Sequence, residues 1–140
     1  NWVIYGLIAS FFFAVNTIIY KIAQQKGNFS PYYGILMFGI GITIVSVVFF
    51  LFKPSFEFEW KSSSLAIIAG AVWAIGMIMV AIAISQKADI ARLAPIYNTN
   101  TILAVLMAII FLREIPDVSQ MFRIIAGAVL VVIGAILVSI

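Results

Sequence analysis

Long uncharged stretches of apolar residues alternate with short charged segments along the chain. Five stretches carry no charge: residues 1–20, 27–52, 62–86, 93–112 and 124–140. Each is close to the length of about 20 residues that a helix needs to cross the hydrocarbon core of a bilayer. The strict apolar and polar alternation of a membrane β-barrel is absent, for example, from residues 47–52. The pattern therefore predicts an all-α integral membrane protein with five transmembrane helices, near residues 2–22, 31–52, 63–86, 90–112 and 118–139.

The ends of the predicted helices carry capping signals. Ser30 precedes Pro31, which is favoured at the first helical position, and Ser62 begins a run of three serines that can cap the third helix. Asp117 with Gln120 three residues later is typical of a capping box at the start of the fifth helix.

Composition narrows the class of protein. Of 140 residues, 65% are hydrophobic and 9% are charged, against about 25% charged residues in soluble domains. Cys and His are both absent, which removes thiolate nucleophiles, imidazole bases and the most common transition-metal ligands. We therefore expect no enzymatic activity, no cofactor and no metal. The net charge of +3 is spread over four short segments, which indicates lipid headgroups as neighbours and argues against a nucleic-acid partner.

Polar residues cluster near the middle of the fourth stretch. Pro95 lacks an amide hydrogen, so it is expected to kink the helix and free the carbonyl of Ala91. Tyr97, Asn98 and Thr101 follow, and the spacings of three and four residues to Thr101 place them on one face. Two interpretations stand: the side chains hold helices together by hydrogen bonds, or they bind a substrate.

A second set of candidate substrate contacts lies in the first and third stretches. Asn16 and Tyr20 share one helical face, and Lys21 lies on the next face, from which it either extends to the headgroups or meets an anionic ligand. Trp73 lies near the middle of the third stretch, either packed in a core or lining a cavity.

Acidic residues are absent from all five uncharged stretches. Proton-driven export of cationic drugs usually depends on a carboxylate within the membrane, so that mechanism is not expected. Glu114, just beyond the fourth stretch, is expected to pair with Arg113, with Arg123 or with the first amides of the fifth helix, and Asp89 is expected to pair with Arg92.

Basic residues are divided equally between the two sides of the membrane. Five spans put Lys21, Lys26, Lys87 and Arg92 on one side and Lys53, Lys61, Arg113 and Arg123 on the other. Because orientation follows the Lys and Arg bias of the connections, a tie predicts insertion both ways, unless terminal residues outside this sequence break the tie. Many transporters consist of two inverted halves around a site at the bilayer midplane. An antiparallel homodimer with ten helices would have that architecture.

Small residues recur along the last helix. Gly127 and Gly134 are seven residues apart, and Ala128 and Ala135 repeat that interval. Such a face lets backbones approach closely, so Gly127 and Gly134 are expected at the dimer interface, although packing within one chain is the alternative.

These features together resemble the EamA domain of the drug/metabolite transporter superfamily. The specific part is Ala94-Pro95, the run to Leu112-Arg113-Glu114, and the Gly127-Ala128 to Ile133-Gly134 segment; the family usually has Gly-Glu where Arg113-Glu114 stands here. Ala14-Val15-Asn16 and Lys21 are similar to the family's Trp-Gly-Ser-Asn and Lys positions, with Phe13 and Ala14 replacing Trp and Gly. The resemblance implies one five-helix repeat of a protein that usually has two inverted repeats and exports amino acids or related metabolites.

The sequence thus predicts a multi-pass plasma-membrane protein that transports small metabolites, such as amino-acid-like or other polar organic solutes, by alternating access as an antiparallel homodimer. Its expected partners are the substrate, the lipid bilayer and a second copy of the chain. A lipid-linked sugar flippase subunit and a non-transporting membrane assembly protein are the alternatives.

Overall fold

The computed structural model describes residues 1–55, 58–114 and 116–139. Its helices are α1 (Trp2–Gly27), α2 (Pro31–Phe52), α3 (Trp60–Ser85), α4 (Ile90–Tyr97), α5 (Asn100–Met107) and α6 (Val118–Ser139), and a π-helical segment (Ala108–Leu112) follows α5 directly. No strand occurs in these described ranges.

Five spans are long and apolar enough to cross a membrane. They are α1, α2, α3, the composite stretch Ile90–Leu112 and α6. The predicted fold class, an all-α membrane protein with five spanning helices, is therefore confirmed.

Two of the predicted helix ends differ from the structure. The first helix continues to Gly27, past the predicted end near residue 22, and stops where Asn28 adopts a left-handed conformation with φ of 45°. Residues 23–26 are polar or small, yet they are good helix formers, so polarity alone ended the predicted span too early. Asp117 precedes α6, and its backbone carbonyl accepts the Gln120 and Met121 amides at 2.8 Å; the capping box between the Asp117 and Gln120 side chains stays a prediction.

The third helix begins at Trp60, and its cap is Glu59 instead of the predicted serines. The Glu59 carboxylate accepts the backbone N–H of Lys61 at 3.2 Å and that of Ser62 at 2.8 Å, and it also accepts the Ser62 hydroxyl. These hydrogen bonds, led by that of the Ser62 side chain, hold the pKa of Glu59 below its ordinary value of 4.5. The negative carboxylate also complements the positive end of the helix dipole.

This cap predicts a pH-dependent stability. A carboxyl whose pKa is lowered by folding stabilises the folded state above its unfolded pKa, and this stabilisation is lost as the pH falls through the lower folded value. Thermal melting in detergent is expected to show wild type more stable than Glu59→Gln at pH 7, with the difference shrinking below pH 4.5. Glu59→Asp should retain the pH dependence. A difference that stays constant from pH 7 to pH 3 would contradict the assigned cap.

The chain divides into two compact units, Asn1–Lys87 and Ala88–Ile140. In the first unit, α3 packs against α2 and α1, and Tyr20, Gln24, Ala81 and Ile84 are its buried side chains. In the second unit, α6 packs against α4 and α5, and Ala128 and Ala135 are buried.

Large apolar side chains cover the outside of the helices. Phe52 is 84% exposed, Phe111 75% and Leu137 69%. A soluble protein would bury such residues, whereas hydrocarbon solvates them without cost. The exposed apolar surface therefore agrees with a chain solvated by lipid.

Candidate functional site

The fourth membrane span has a break in its α-helical hydrogen-bond pattern near its middle. Asn98 and Thr99 separate α4 from α5, close to the middle of the 23-residue stretch Ile90–Leu112. Across the break the backbone bonds are tight turns: the Thr99 N–H donates to the Ile96 carbonyl at 3.2 Å, and the Thr101 N–H donates to the Asn98 carbonyl at 3.1 Å. Asn98 and Thr99 keep right-handed helical dihedrals, with φ of −70° and −62°, so the backbone tightens into a 3₁₀-like turn and does not unwind. A 3₁₀ turn within a longer helix often marks a functional hinge or a strained sequence.

Two threonine hydroxyls stabilise the break. Thr99 Oγ1 donates to the Ile96 carbonyl at 2.7 Å, and Thr101 Oγ1 donates to the Asn98 carbonyl at 2.9 Å. Thr101 therefore has a structural role here, and its hydroxyl oxygen keeps lone pairs that can accept a further bond. The Asn98 side chain is exposed, and no hydrogen bond among the described residues occupies its amide.

Pro95 lies inside α4 and not at the break itself. The helix α4 continues through Pro95 to Tyr97, and the tight turn at Asn98 and Thr99 follows. Tyr97 is half-buried. The break in the helical hydrogen bonds therefore lies at the polar residues Asn98 and Thr99 and not at Pro95.

The fourth span ends in a π-helical turn next to Glu114. The Ala108 carbonyl accepts the Glu114 N–H at 3.3 Å, and Arg113 between them adopts a left-handed conformation with φ of 55°. Glu114 borders an open, mainly apolar cavity of about 310 Å³. Among the described residues, Glu114 forms no ion pair with Arg113 or Arg123, and all three side chains are exposed.

Arg92 orients the start of the broken span within the second unit. Its Nε donates to the Val138 carbonyl and its Nη2 donates to the Ser139 carbonyl, each at 3.1 Å. These carbonyls belong to the last turn of α6, where the helix dipole favours a cation. These hydrogen bonds attach the start of α4 to the end of α6. The sequence predicted only a pairing of Arg92 with Asp89 and not this contact.

The first unit contains a packed polar and aromatic cluster. Tyr20 and Gln24, four residues apart on α1, are only 7% and 6% exposed. The Tyr20 ring meets Phe38 of α2 edge to face at a centroid distance of 6.0 Å, and Phe38 stacks on Trp73 of α3 at 5.5 Å. Trp73 is nevertheless 45% exposed, so it is both packed on one side and accessible.

The remaining first-helix candidates are Asn16 and Lys21. Asn16, one turn before Tyr20, is half-buried, and Lys21 is half-buried as well. Thr17 donates its hydroxyl to the Phe13 carbonyl at 2.9 Å. The roles of Asn16, Tyr20 and Lys21 in substrate binding stay predictions.

Gly34 of α2 gives the Tyr20 hydroxyl its space. A Cβ atom built on Gly34 would lie 2.5 Å from Tyr20 Oη and 2.6 Å from Phe29 Cε2, whereas one built on Gly41 of the same helix would meet no atom within 4 Å. The position of the Tyr20 and Phe29 rings against α2 therefore requires glycine at position 34.

This contrast provides a matched pair of substitutions. Gly34→Ala is expected to lower the free energy of unfolding by about 1–3 kcal/mol through overpacking, and Gly41→Ala is expected to raise it by about 0.5–1 kcal/mol through helix propensity. Chemical denaturation of the two purified variants in detergent would measure both. Equal stabilities would show that α1 does not pack on α2 at Gly34.

The small-residue face of α6 separates into two parts. Ala128 and Ala135 are buried, so this pair packs within the second unit. Gly127 and Gly134 are exposed, and a Cβ on either would meet nothing within 4 Å. Their predicted role at a dimer interface is not tested by the single chain.

Gln24 is the residue that the sequence analysis missed. It follows Asn16 and Tyr20 at intervals of four residues and so continues their helical face. This signal was present in the sequence, but the predicted first helix ended before position 24.

No group of three or more acidic residues suited to holding a metal occurs in the described ranges.

Comparison with known proteins gives the family. The family model described as "Sugar transport protein" matches residues 2–140. An uncharacterized protein of Methanocaldococcus jannaschii is 28% identical over 138 residues, which cover 99% of this chain and 96% of that protein. No solved structure matches significantly.

The family match covers almost the whole chain and is consistent with its five membrane spans. It supports a multi-pass membrane protein of a transport family, while the narrower resemblance to the EamA domain stays a prediction. The chain belongs to the sugar transport protein family.

Proposed function

We propose that the chain carries small sugar-like solutes across a membrane by alternating access, as an antiparallel homodimer. The observation that carries this proposal is the tight turn of the fourth span, where the exposed Asn98 side chain lies near the middle of a membrane helix, in a member of a sugar transport family. The sequence suggested polar metabolites in general as substrates. The family match narrows this proposed class to polyhydroxylated solutes.

The side chains available suit a neutral polyol. An asparagine amide offers two N–H donors and one acceptor oxygen, which together match neighbouring hydroxyl groups of a sugar. The lone pairs of Thr101 Oγ1 add an acceptor one turn along the chain. In the first unit, the accessible Trp73 ring offers an apolar face of the kind on which the C–H face of a sugar packs.

The lack of acidic residues supports the same substrate class. None of the five long uncharged stretches contains Asp or Glu, so an organic cation would find no counter-ion within the membrane. An uncharged sugar needs none. The charge pattern therefore favours a neutral solute over a cationic drug.

Three observations support the antiparallel dimer. The basic residues of the connections divide four to four. The Gly127 and Gly134 positions leave α6 open to a close helix contact. The archaeal relative is matched over 96% of its own length by these five helices, so a chain of this size also exists there. Plasma-membrane location and the EamA assignment are narrower expectations that accompany this proposal.

Uptake by purified protein in liposomes tests the transport function. A panel of labelled pentoses, hexoses, amino acids and nucleosides should reveal saturable uptake of at least one sugar, inhibited by unlabelled sugar and not by amino acids. Protein-free liposomes provide the background. Saturable uptake of amino acids alone would replace the substrate class, and no saturable uptake of any compound would contradict the proposal.

A further inference from the structure

Two buried polar atoms in the first unit have no hydrogen-bond partner among the described residues. They are the Tyr20 hydroxyl and the Gln24 amide oxygen, Oε1. The side chains are 7% and 6% exposed. A buried polar atom without a partner loses its solvation and is therefore costly and uncommon in native structures. Two such atoms on adjacent turns of one helix indicate a ligand.

The orientation of the Gln24 amide follows from its neighbour. Its Nε2 donates to the backbone carbonyl of Ala81 at 3.0 Å, and Ala81 is fully buried. A carbonyl can only accept, so the amino side of the amide must face Ala81. The remaining oxygen, Oε1, is consequently a fixed acceptor within the unit.

The Tyr20 hydroxyl is held next to it by packing. The ring lies against Phe38, and the hydroxyl lies over Gly34 together with the edge of the Phe29 ring. Residues four apart on a helix lie on the same face, with Cβ atoms about 5–6 Å apart. Tyr20 thus has an unpartnered donor and Gln24 an unpartnered acceptor on one face of α1.

We propose that Tyr20 and Gln24 form a binding site for a single hydroxyl group. A hydroxyl donates its hydrogen to Gln24 Oε1 and accepts the Tyr20 hydrogen with a lone pair, so both atoms are satisfied at once. An ammonium group has no lone pair for the Tyr20 hydrogen, and a carboxylate has no hydrogen for Oε1. The pair therefore suits a neutral group with both a hydrogen and a lone pair, and a hydroxyl of a sugar or of water is such a group.

The two sources make different demands on the fold. A sugar hydroxyl reaches these buried atoms only when α1 moves away from α2 at Gly34, a movement compatible with alternating access. This arm deepens, and rests on, the proposed sugar transport. A water molecule can occupy the same site within the closed unit, so this arm is independent of transport.

Conservative substitutions with neighbouring controls test the site. Tyr20→Phe removes only the hydroxyl and keeps the ring on Phe38, while Gln24→Leu removes the amide. Tyr32→Phe and Gln25→Leu make the same changes at exposed positions of the same unit. If Gln24→Leu fails to fold, Tyr20→Phe alone still decides the outcome, because it changes no packed carbon atom.

Sugar binding identifies the first source. Among singly deoxygenated analogues of a transported sugar, one should bind wild type about two- to tenfold more weakly than the parent sugar. In Tyr20→Phe the parent should bind as weakly as that analogue, and the discrimination should vanish. Tyr32→Phe should discriminate as wild type does.

Melting without sugar identifies the second source. If water occupies the site, Tyr20→Phe lowers the melting temperature relative to Tyr32→Phe, and water-edited solid-state NMR transfers magnetisation from water to the Tyr20 ring. The proposal is overturned if Tyr20→Phe melts at or above wild type and also binds every sugar analogue as wild type does. Absence of sugar binding by wild type would defeat the proposed function alone, since the water measurements are made without sugar.

Discussion

Transport by a Lys26→Gln, Lys87→Gln double variant is expected to fall to background when this variant is expressed alone. Both lysines are exposed and flank the membrane on the same side in the five-span topology. Their removal leaves two basic residues on that side against four on the other. Since the side with more Lys and Arg stays cytoplasmic, nearly all copies should then insert in one orientation. No inverted partner would be available to complete the dimer.

The opposite double variant supplies the matched experiment. Lys53→Gln with Lys61→Gln removes two exposed lysines from the other side and should fix the reverse orientation. Co-expression of the two double variants is expected to restore sugar uptake, and so is the quadruple variant, in which the tie returns at two to two. Uptake in cells and cysteine accessibility at an introduced terminal cysteine would be measured together. Full uptake by each double variant alone, with a single orientation, would contradict the antiparallel dimer.

Asn98→Ala is expected to reduce sugar affinity by about tenfold or more, because loss of an amide leaves sugar hydroxyls without their hydrogen-bond partners. The substitution retains the Asn98 carbonyl, which accepts the Thr101 N–H and hydroxyl. The backbone of the break should therefore survive, and the melting temperature should change little. The decisive measurements are the KM for uptake in liposomes and thermal melting on the same preparation.

Asn100 provides the control for this prediction. It is the same residue type, is also exposed and begins α5 two positions later, on a different helical face. Asn100→Ala should leave the KM near that of wild type. The opposite pattern, in which Asn98→Ala lowers the melting temperature and leaves the KM unchanged, would show that Asn98 only holds helices together.

The fourth span shows which features a local sequence pattern predicts and which it does not. Its length and its polar cluster predicted a spanning helix with candidate ligand contacts, and Pro95 predicted a kink. The structure places the break in the α-helical hydrogen bonds at Asn98 and Thr99, after the proline. The position of the break depends on which carbonyls find donors, and here the Thr99 and Thr101 hydroxyls take up the Ile96 and Asn98 carbonyls. Spacing alone does not reveal these bonds.

The buried cluster of the first unit shows a different limit. Tyr20 was predicted as a ligand contact from its spacing to Asn16, but Gln24 lay beyond the predicted end of the helix. Its burial depends on Ala81, 57 residues away in the chain. The importance of Gly34 likewise arises only where the Tyr20 hydroxyl approaches it from another helix.

The sequence by itself determined the solvent, the helical class and the number of spans, because a bilayer requires about 20 apolar residues for each crossing and leaves the backbone no alternative partner. The sequence also shows that the five uncharged stretches contain no Asp or Glu, which leaves an organic cation without a counter-ion in the membrane. The tertiary structure alone decided which residues of a helical face are packed: Ala128 and Ala135 became buried, while Gly127 and Gly134 stayed open. The physical reason is that periodicity fixes a residue's angle around its own helix, whereas burial depends on the helix that packs there.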